Sequence, residues 1–412
     1  MTPSQYLQRH SAAALRGLRE MVAIPTVNPP GRHYAEMAEH LRQRCADLGM
    51  AATVHRVPDD VVRAAGVPVE HPRYNVVARL DVGAAETVHF NAHYDVVPVG
   101  DGWKTGDPFS GRLQGEWLYG RGSGDMKGSI AALLAAAEAV TRSGAAPALN
   151  LELSFTADEE TGGELGAGYV VRQGLVRADY VVVCEGASGA QVGCGHNGVL
   201  WLEVELVGRP AHASCPDRGI NAFENMVELV HHLQRYKRTL AAASRRYRDC
   251  SGRTRNPTLN VGGVFGGEGQ KINTVPGNAR FTIDRRLVPG ERLEVVEREV
   301  RRAIDAAARH LRHGRSEVRT GLRIEPCVVD CQHPLPQAFA RAVRAVRRGR
   351  TSFRTTTGFT DLHFFAVDAG LPGIGYGVDG QHAHGTDERV RARDVLATAH
   401  IYADFMLRGM ST

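Results

Sequence analysis

Short apolar runs alternate with helix-like segments over the first 185 residues, and this alternation constrains the fold more than any other feature. The runs at 74–80, 87–93, 149–157 and 179–186 are interrupted by helical periodicity, most clearly near 126–143 and 166–173. Strands that alternate with helices in this way form a largely parallel sheet covered by helices on both faces. We therefore predict an α/β fold with a mostly parallel sheet.

Near Gly195 the pattern changes. Residues 198–208 alternate as a half-exposed strand does, and a helix (222–240), two strands (258–267 and 278–288), a second helix (291–311) and a last strand (322–329) follow. This β-α-β-β-α-β order is that of a ferredoxin-like α+β unit. Helices at 334–346 and 392–407 then resume the earlier pattern. We predict one α/β domain formed by 1–195 and 331–412, with a second domain of 196–330 inserted into it.

Composition excludes several classes of protein. The 412 residues carry a net charge of only +5, and the basic cluster at 341–350 has neither interleaved aromatics nor a nucleic-acid-binding motif. The seven cysteines are odd in number and form no CxxC pair, which fits a reducing cytoplasm. The N-terminal segment reads as an amphipathic helix, and no apolar run approaches the ~20 residues that span a bilayer. We expect a cytoplasmic protein with no nucleic-acid or membrane partner.

Histidines and carboxylates follow the apolar runs of the α/β domain at five places. In open α/β sheets, ligands bind beyond the carboxyl ends of the strands, so these side chains are expected at one edge. They are His93 and Asp95; Asp125; Asp158, Glu159 and Glu160; Glu185; and His382, His384, Asp387 and Glu388.

Each place also has an ordinary structural explanation. Asp125 could be a helix N-cap, Glu159 and Glu160 could begin a solvated helix, and His93 could be a loop histidine. Taken together, converging carboxylates repel one another unless a cation neutralises them. Imidazole and carboxylate suit zinc or a related divalent ion. The candidates exceed what one tetrahedral ion uses, so we predict two ions, which at ~3.5–4 Å apart can activate one water.

Six motifs then give a family resemblance that runs from about Leu15 to Arg408. They are HYDVVPVGDGWKTGDPFSG (93–111), GRGSGDMKG (120–128), SFTADEETGG (154–163), GRPAHASCPDRGINA (208–222), INTVPGNARFTIDRRLVPGE (272–291) and AHGTDE (383–388). In order and spacing they resemble the family of dizinc metallopeptidases and aminoacylases that includes acetylornithine deacetylase, succinyl-diaminopimelate desuccinylase, carboxypeptidase G and aminoacylase.

The resemblance implies a role for each residue of the α/β domain. It assigns two zinc ions per subunit, with Co²⁺ or Mn²⁺ as possible substitutes. Asp95 would orient His93 by accepting from its far nitrogen. Glu159 would be the general base, taking a proton from the shared water and returning it to the leaving nitrogen. The implied zinc ligands are His93 and Glu185 on one ion, Glu160 and His384 on the other, and Asp125 bridging both.

The resemblance also implies that the inserted domain acts as a lid and dimerises the protein. His212 would stabilise the oxyanion in the partner's site. Asn273 and Arg286 would hold the substrate carboxylate, and Arg286 is chosen over Arg285 from the pattern D-x-R-x-x-P. Gly358, with Asp361 nearby, would line the substrate pocket.

The expected function is hydrolysis of an amide bond next to a free carboxylate, in an N-acyl amino acid or a small peptide. Glu185 begins the segment Glu-Gly-Ala-Ser, whereas the corresponding glutamate of deacetylases and desuccinylases usually begins Glu-Pro-Thr. Phe359 stands where desuccinylases commonly have a small residue. These departures leave the substrate open. Two alternatives also stay open: hydrolytic deamination of another carboxylate-bearing small molecule, aromatic ones included, and a non-catalytic binding relative.

Overall fold

The computed structural model describes residues 1–242, 245–268, 271–311 and 314–410. The described residues form ten α-helices: α1 (Pro3–Arg9), α2 (Ser11–Ala23), α3 (Tyr34–Asp47), α4 (Asp59–Ala64), α5 (Lys127–Arg142), α6 (Ala167–Arg172), α7 (Ala222–Thr239), α8 (Leu293–Ala308), α9 (Pro334–Arg347) and α10 (Ala392–Arg408). Short 3-10 turns occur at Glu159–Thr161 and Pro216–Arg218, and a π-helix at Phe364–Asp368.

The described strands are β1 (Ala51–Arg56), β2 (Tyr74–Leu80), β3 (Thr87–His93), β4 (Arg112–Gln114), β5 (Trp117–Tyr119), β6 (Asn150–Thr156), β7 (Tyr180–Val183), β8 (Gln191–His196), β9 (Gly198–Val207), β10 (Ala211–His212), β11 (Tyr247–Arg248), β12 (Thr254–Arg255), β13 (Thr258–Gly266), β14 (Thr274–Val275), β15 (Asn278–Leu287), β16 (Arg315–Ile324), β17 (Cys327–Val328), β18 (Ser352–Thr356), β19 (Gly373–Gly375), β20 (Gly380–Gln381) and β21 (Arg389–Arg391).

The chain divides into two compact units. The larger contains Met1–Gly195, Val328–Thr356 and Thr360–Thr412, and the smaller contains His196–Cys327 with Thr357–Phe359. Each unit has its own cluster of buried apolar side chains.

The larger unit is built on a nine-stranded mixed sheet in the order β1-β2-β6-β3-β7-β19-β8-β17, with β18 beside β8. The central strands β6, β3, β7 and β19 are parallel, whereas β1, β2 and β8 pair antiparallel with their neighbours. Parallel strands end at the same edge of a sheet, so residues that follow β3, β6 and β7 are brought together. This mixed sheet with flanking helices confirms the predicted α/β class.

The central strands explain the apolar runs in the sequence. On β3, Val88, Phe90 and Ala92 enter the apolar core, whereas His89 and Asn91 are equally buried on the opposite face. There the His89 ring bonds to Glu152 (2.8 Å) and Ser154 (2.7 Å) of β6. Buried polar groups are retained only when hydrogen-bonded, and this ladder meets that condition.

A second, four-stranded antiparallel sheet in the larger unit has the order β20-β21-β5-β4. It pairs residues 389–391 with 117–119 and 380–381. The loops that follow β5 and β20 therefore lie side by side.

The smaller unit contains a four-stranded antiparallel sheet in the order β13-β15-β9-β16. In chain order this is strand 2, 3, 1, 4, which is the ferredoxin-like arrangement that was predicted. The buried faces of α7 and α8 share one apolar cluster with the alternating residues Leu200, Leu202, Val204 and Leu206 of β9.

Within the described ranges, no helix combines the length and the apolar character needed to span a bilayer.

Candidate metal centre

Five predicted ligands form two groups that share Asp125. One group is His93, Asp125 and Glu185, the other is Asp125, Glu160 and His384, and in each the ligand atoms lie within 4.8 Å of one another. The two carboxylate oxygens of Asp125 face different histidines: Oδ1 lies 3.3 Å from His93 Nε2, and Oδ2 lies 3.3 Å from His384 Nε2. His384 Nε2 is also 3.0 Å from Glu160 Oε2. Asp125 therefore lies between two histidines that are candidate metal ligands.

The sheet topology explains the convergence. His93 is the last residue of β3, Glu160 lies in the 3-10 turn after β6, and Glu185 follows β7. Asp125 and His384 come from the two loops that the four-stranded sheet places side by side.

The donor atoms fit a divalent cation. Among the described residues, His93 Nε2 and Glu185 Oε1 are buried polar atoms without a hydrogen-bond partner. A buried polar atom left unpaired costs free energy, and coordination to a metal would remove that cost. Imidazole nitrogen with carboxylate oxygen is a donor set suited to zinc, cobalt or manganese.

Electrostatics of the cluster point the same way. Burial and neighbouring carboxylates raise the pKa of Glu185 well above its ordinary value, and burial also raises the pKa of Glu160. Hydrogen bonds with Asp125 and Glu160 raise the pKa of His384 to about 10. Burial lowers the pKa of His93, but Asp125 and Asp95 outweigh it and the pKa is raised. The raised pKa values mean that these side chains hold protons that reduce the repulsion among the carboxylates, and a bound cation would reduce it in their place.

Glu159 belongs to neither ligand group, although it is buried beside them. Its Oε2 lies 3.9 Å from His93 Nε2. Burial and the Glu185 carboxylate raise the pKa of Glu159 well above its ordinary value. A carboxylate that borders the centre, with its proton affinity raised, has the properties of a general base.

Asp95 contacts more than His93. The His93 Nδ1 atom lies 3.1 Å from the Asp95 main-chain carbonyl and 3.4 Å from its carboxylate Oδ1. The carboxylate itself accepts the main-chain N–H groups of Glu159 (3.2 Å) and Glu160 (3.3 Å), and an N–H of Asn28 (2.9 Å). Orientation of His93 is thus shared with a main-chain acceptor, and the carboxylate also fixes the turn that carries Glu159.

Sequence reasoning missed the residues that support this turn. Asp158 adopts a left-handed conformation (φ 63°) immediately before Glu159. Its carboxylate accepts hydrogen bonds from Arg73 (2.7 Å), Tyr34 (3.0 Å) and Asn28 (3.2 Å). No motif joins these distant positions, so only the fold reveals that they act on one carboxylate.

The loop at 382–388 contributes one ligand candidate. His382 is exposed, and its Nδ1 lies 3.3 Å from the carbonyl of Thr386. Asp387 accepts N–H groups of Lys104 and Thr105, and Glu388 accepts N–H groups of the loop that ends at Asp125. Only His384 of the four sequence candidates joins a ligand group.

The structural alternatives for Asp125 and Glu159 are not observed. The N-cap residue of α5 is Met126, with no side-chain cap, so Asp125 does not cap that helix. Glu159 lies in a buried 3-10 turn, not at a solvated helix start.

The candidates of the smaller unit are exposed or half-buried. His212 is exposed, and its Nδ1 lies 2.7 Å from Ser214 Oγ. Asn273 is exposed, and its carbonyl accepts the N–H of Ala213. Arg286 is half-buried and donates twice to Asp284, at 2.8 and 2.9 Å.

Of the two adjacent arginines, only Arg286 is accessible. Arg285 is fully buried and pairs with Glu291 at 2.6 Å. Gly358 is an exposed residue of the 357–359 segment in the smaller unit.

Asp361, in the larger unit, is buried near the centre. It accepts a hydrogen bond from Thr156 at 3.3 Å. Burial, opposed by His93, raises the pKa of Asp361 to about 7. The sequence singled it out by position alone.

Comparison with known proteins agrees with this geometry. The profile of Peptidase family M20/M25/M40 matches residues 89–408, which is most of the chain. The chain belongs to this family. It is therefore a metal-dependent hydrolase of amide bonds, and the resemblance drawn from its motifs is confirmed.

Two relatives are each 29% identical to this chain. A succinyl-diaminopimelate desuccinylase of Methylobacterium radiotolerans is 29% identical over 411 residues, covering 95% of both chains. An acetylornithine deacetylase of Photorhabdus laumondii is 29% identical over 280 residues, covering 67% of this chain and 68% of the relative. Among solved structures, an M20 family metallo-carboxypeptidase of Sulfolobus solfataricus has a TM-score of 0.77 at 21% identity, covering 96% of this chain and 98% of its own. That last likeness concerns the fold.

Proposed function

We propose that the chain is a two-zinc hydrolase that cleaves the amide bond of a small substrate bearing a free carboxylate, either an N-acyl amino acid or a short peptide. The observation that carries the proposal is Asp125, whose two carboxylate oxygens each face a different histidine at 3.3 Å. Relatives named desuccinylase and deacetylase support this substrate class.

The metal-binding domain would hold one ion with His93 and Glu185 and the other with Glu160 and His384. Asp125 would serve both. Bound there, two divalent ions would lower the pKa of a shared water and polarise the substrate carbonyl.

Glu159 would move the proton. Its carboxylate would accept a proton from the attacking water and deliver it to the amide nitrogen as the carbon–nitrogen bond breaks. Asp95 would keep this carboxylate in place, since it already accepts the main-chain N–H of Glu159.

The inserted domain would supply substrate contacts. His212 would donate to the oxyanion of the tetrahedral intermediate, and Arg286 with Asn273 would bind the substrate carboxylate. Gly358 would line the pocket without adding a side chain.

We further propose a homodimer formed through the inserted domain. β13 is an outer strand of its sheet, and it exposes Val264 (59%) and Phe265 (72%). Unpaired strand edges with exposed apolar side chains invite pairing with another chain. A reducing compartment such as the cytoplasm fits the seven cysteines, which are odd in number and form no CxxC pair.

A substrate screen tests the proposal. Zinc- and cobalt-loaded protein would be incubated with N-acetyl, N-succinyl and aromatic N-acyl amino acids and with dipeptides, while amine release is followed. Matched analogues with a carboxamide in place of the free carboxylate should lose about 10–100-fold in kcat/KM, the worth of a charge-assisted hydrogen bond. Equal cleavage of both series would remove the carboxylate from the proposal. Ammonia release without acyl cleavage would favour the deaminase alternative.

A further inference from the structure

Glu388 is a fully buried carboxylate at the edge of the metal centre that belongs to neither ligand group. Each of its oxygens accepts two hydrogen bonds. Oε2 receives Arg121 Nη1 (2.6 Å) and the N–H of Gly122 (3.0 Å), and Oε1 receives the N–H groups of Gly124 (2.9 Å) and Asp125 (3.0 Å). Burying a carboxylate costs several kcal/mol unless such donors compensate it. All four donors belong to residues 121–125 of the loop that ends at Asp125, so this carboxylate fixes the main chain of Asp125.

Arg121, the side-chain partner of Glu388, also contacts the loop at 382–388 that carries His384. Its Nη2 atom donates to the main-chain carbonyls of His384 (3.3 Å) and Pro98 (3.4 Å). The guanidinium also lies over the Trp103 ring, 5.6 Å from its centroid, and is 1% exposed. A planar guanidinium is suited to this use because it presents several donors in a fixed geometry.

His384 needs such support more than His93 does, because His93 is the last residue of strand β3. The His384 side chain is 56% exposed, whereas that of His93 is 1% exposed. Its main chain has φ 63°, a conformation that non-glycine residues rarely adopt. At Gly124 an added Cβ would lie 2.9 Å from Gly380 Cα, so the loop that carries Asp125 is in close main-chain contact with β20, the strand that leads into the His384 loop.

We propose that Glu388 and Arg121 are positioning residues of the metal centre, because their buried ion pair fixes the main chain of Asp125 and of His384 together. Zinc affinity then depends on this pair although neither side chain belongs to a ligand group. The inference rests on the proposed zinc centre and adds how the main chains of Asp125 and His384 are kept in fixed positions relative to each other.

The test compares Glu388→Gln with a matched variant, Glu152→Gln. Glu152 is also a buried glutamate with an arginine partner, Arg79 (2.6 Å), and a main-chain donor, Arg177 N (2.9 Å). Across the described ranges, no hydrogen bond or ion pair joins it to a ligand candidate. Zinc affinity of the metal-free proteins would be measured by competition with a chelator, and the melting temperature would be recorded for each.

We expect Glu388→Gln to bind zinc 10–100-fold more weakly, the usual effect of losing an outer partner of a metal ligand. Glu152→Gln should melt at a lower temperature yet keep wild-type zinc affinity within about twofold. The double variant Arg121→Met/Glu388→Gln removes both charges, so it should bind zinc no better than Glu388→Gln if main-chain contacts are what matters. If Glu388→Gln does not fold, the zinc affinity of Arg121→Lys is the test instead. This variant keeps the positive charge but lacks the second nitrogen that reaches the His384 carbonyl, so it should also bind zinc more weakly than the wild type.

Two results would overturn the inference. One is wild-type zinc affinity in Glu388→Gln, or in Arg121→Lys if Glu388→Gln does not fold; the other is restoration of zinc affinity in the double variant. Either would leave the proposed zinc centre standing. Failure of the wild-type protein itself to bind zinc would instead remove the proposed function and this inference with it.

Discussion

The candidate residues of the larger unit and those of the smaller unit differ in what holds them in place. In the larger unit, Asp95 and Glu388 each accept main-chain N–H groups from the segment that carries a candidate residue. In the smaller unit, His212 and Arg286 contact Ser214 and Asp284, only two residues away in sequence. The first set is fixed by side chains from distant parts of the chain, whereas the polar contacts of the His212 and Arg286 side chains are local, although their main chains lie in paired strands.

This difference predicts two kinds of variant. Substitution in the larger unit should change metal content, or turnover at full metal content, because its geometry is preorganised. Substitution in the smaller unit should leave the metals in place and change only how substrate and transition state are bound.

The largest effect is expected for Asp125→Ala. Loss of a carboxylate that faces both histidines should reduce the zinc bound per chain and abolish measurable turnover. Elemental analysis after desalting measures this directly. Asp394→Ala is the matched control, since Asp394 is a buried aspartate of the same unit whose partner is Arg347 (2.8 Å). Unchanged zinc content in Asp125→Ala would show that this residue does not bridge.

Glu159→Gln should separate metal binding from proton transfer. The variant keeps the size of the side chain and should retain zinc, while kcat falls by about 10²–10⁴, the scale of a general base. Zinc content and steady-state turnover are measured on the same preparation. Near-normal turnover would assign the proton transfer to another group, with the buried Asp361 as the next candidate.

Sequence alone predicted much of this, for reasons visible in particular elements. The helix predicted near 126–143 is observed as Lys127–Arg142, because apolar periodicity reports burial directly. Ligand candidates were found because histidines and carboxylates after parallel strands share one edge. The contacts of Asp95 and Glu388 to main-chain N–H groups were not predicted, since they depend on loop conformations that no residue pattern encodes. For the same reason Arg73 and Tyr34 gave no signal.

His212→Ala tests the smaller unit. We expect full zinc content and a loss of about 10²–10³ in kcat, the value of one oxyanion donor. If the histidine acts across a dimer, mixing this variant with Glu159→Gln should restore roughly a quarter of the activity, since half of the dimers are mixed and each has one intact site. An inactive mixture, with subunit exchange verified, would place His212 within its own subunit or outside the reaction.

The smallest effect concerns pH and returns to the larger unit. In the metal-free protein, contacts with Asp125 and Glu160 raise the pKa of His384 to about 10, so near neutral pH this imidazole carries a proton that a metal ion must displace. Zinc affinity should therefore rise with pH, by up to about tenfold per unit for each proton displaced, and level off as pH approaches 10. The sign for folding is opposite: the raised pKa stabilises the metal-free fold below the unfolded value near 6.5, and that contribution is lost as pH rises through 10.

Calorimetric titration with zinc in two buffers of different ionisation enthalpy counts the protons released. Glu159→Gln serves as the control, because it changes the base while leaving the His384 contacts to Asp125 and Glu160 in place. Identical heats in both buffers, with affinity flat between pH 6.5 and 8.5, would contradict a protonated His384. The electrostatic interaction of His384 with Glu160 and Asp125 would then be weaker than the distances of 3.0 and 3.3 Å between them indicate.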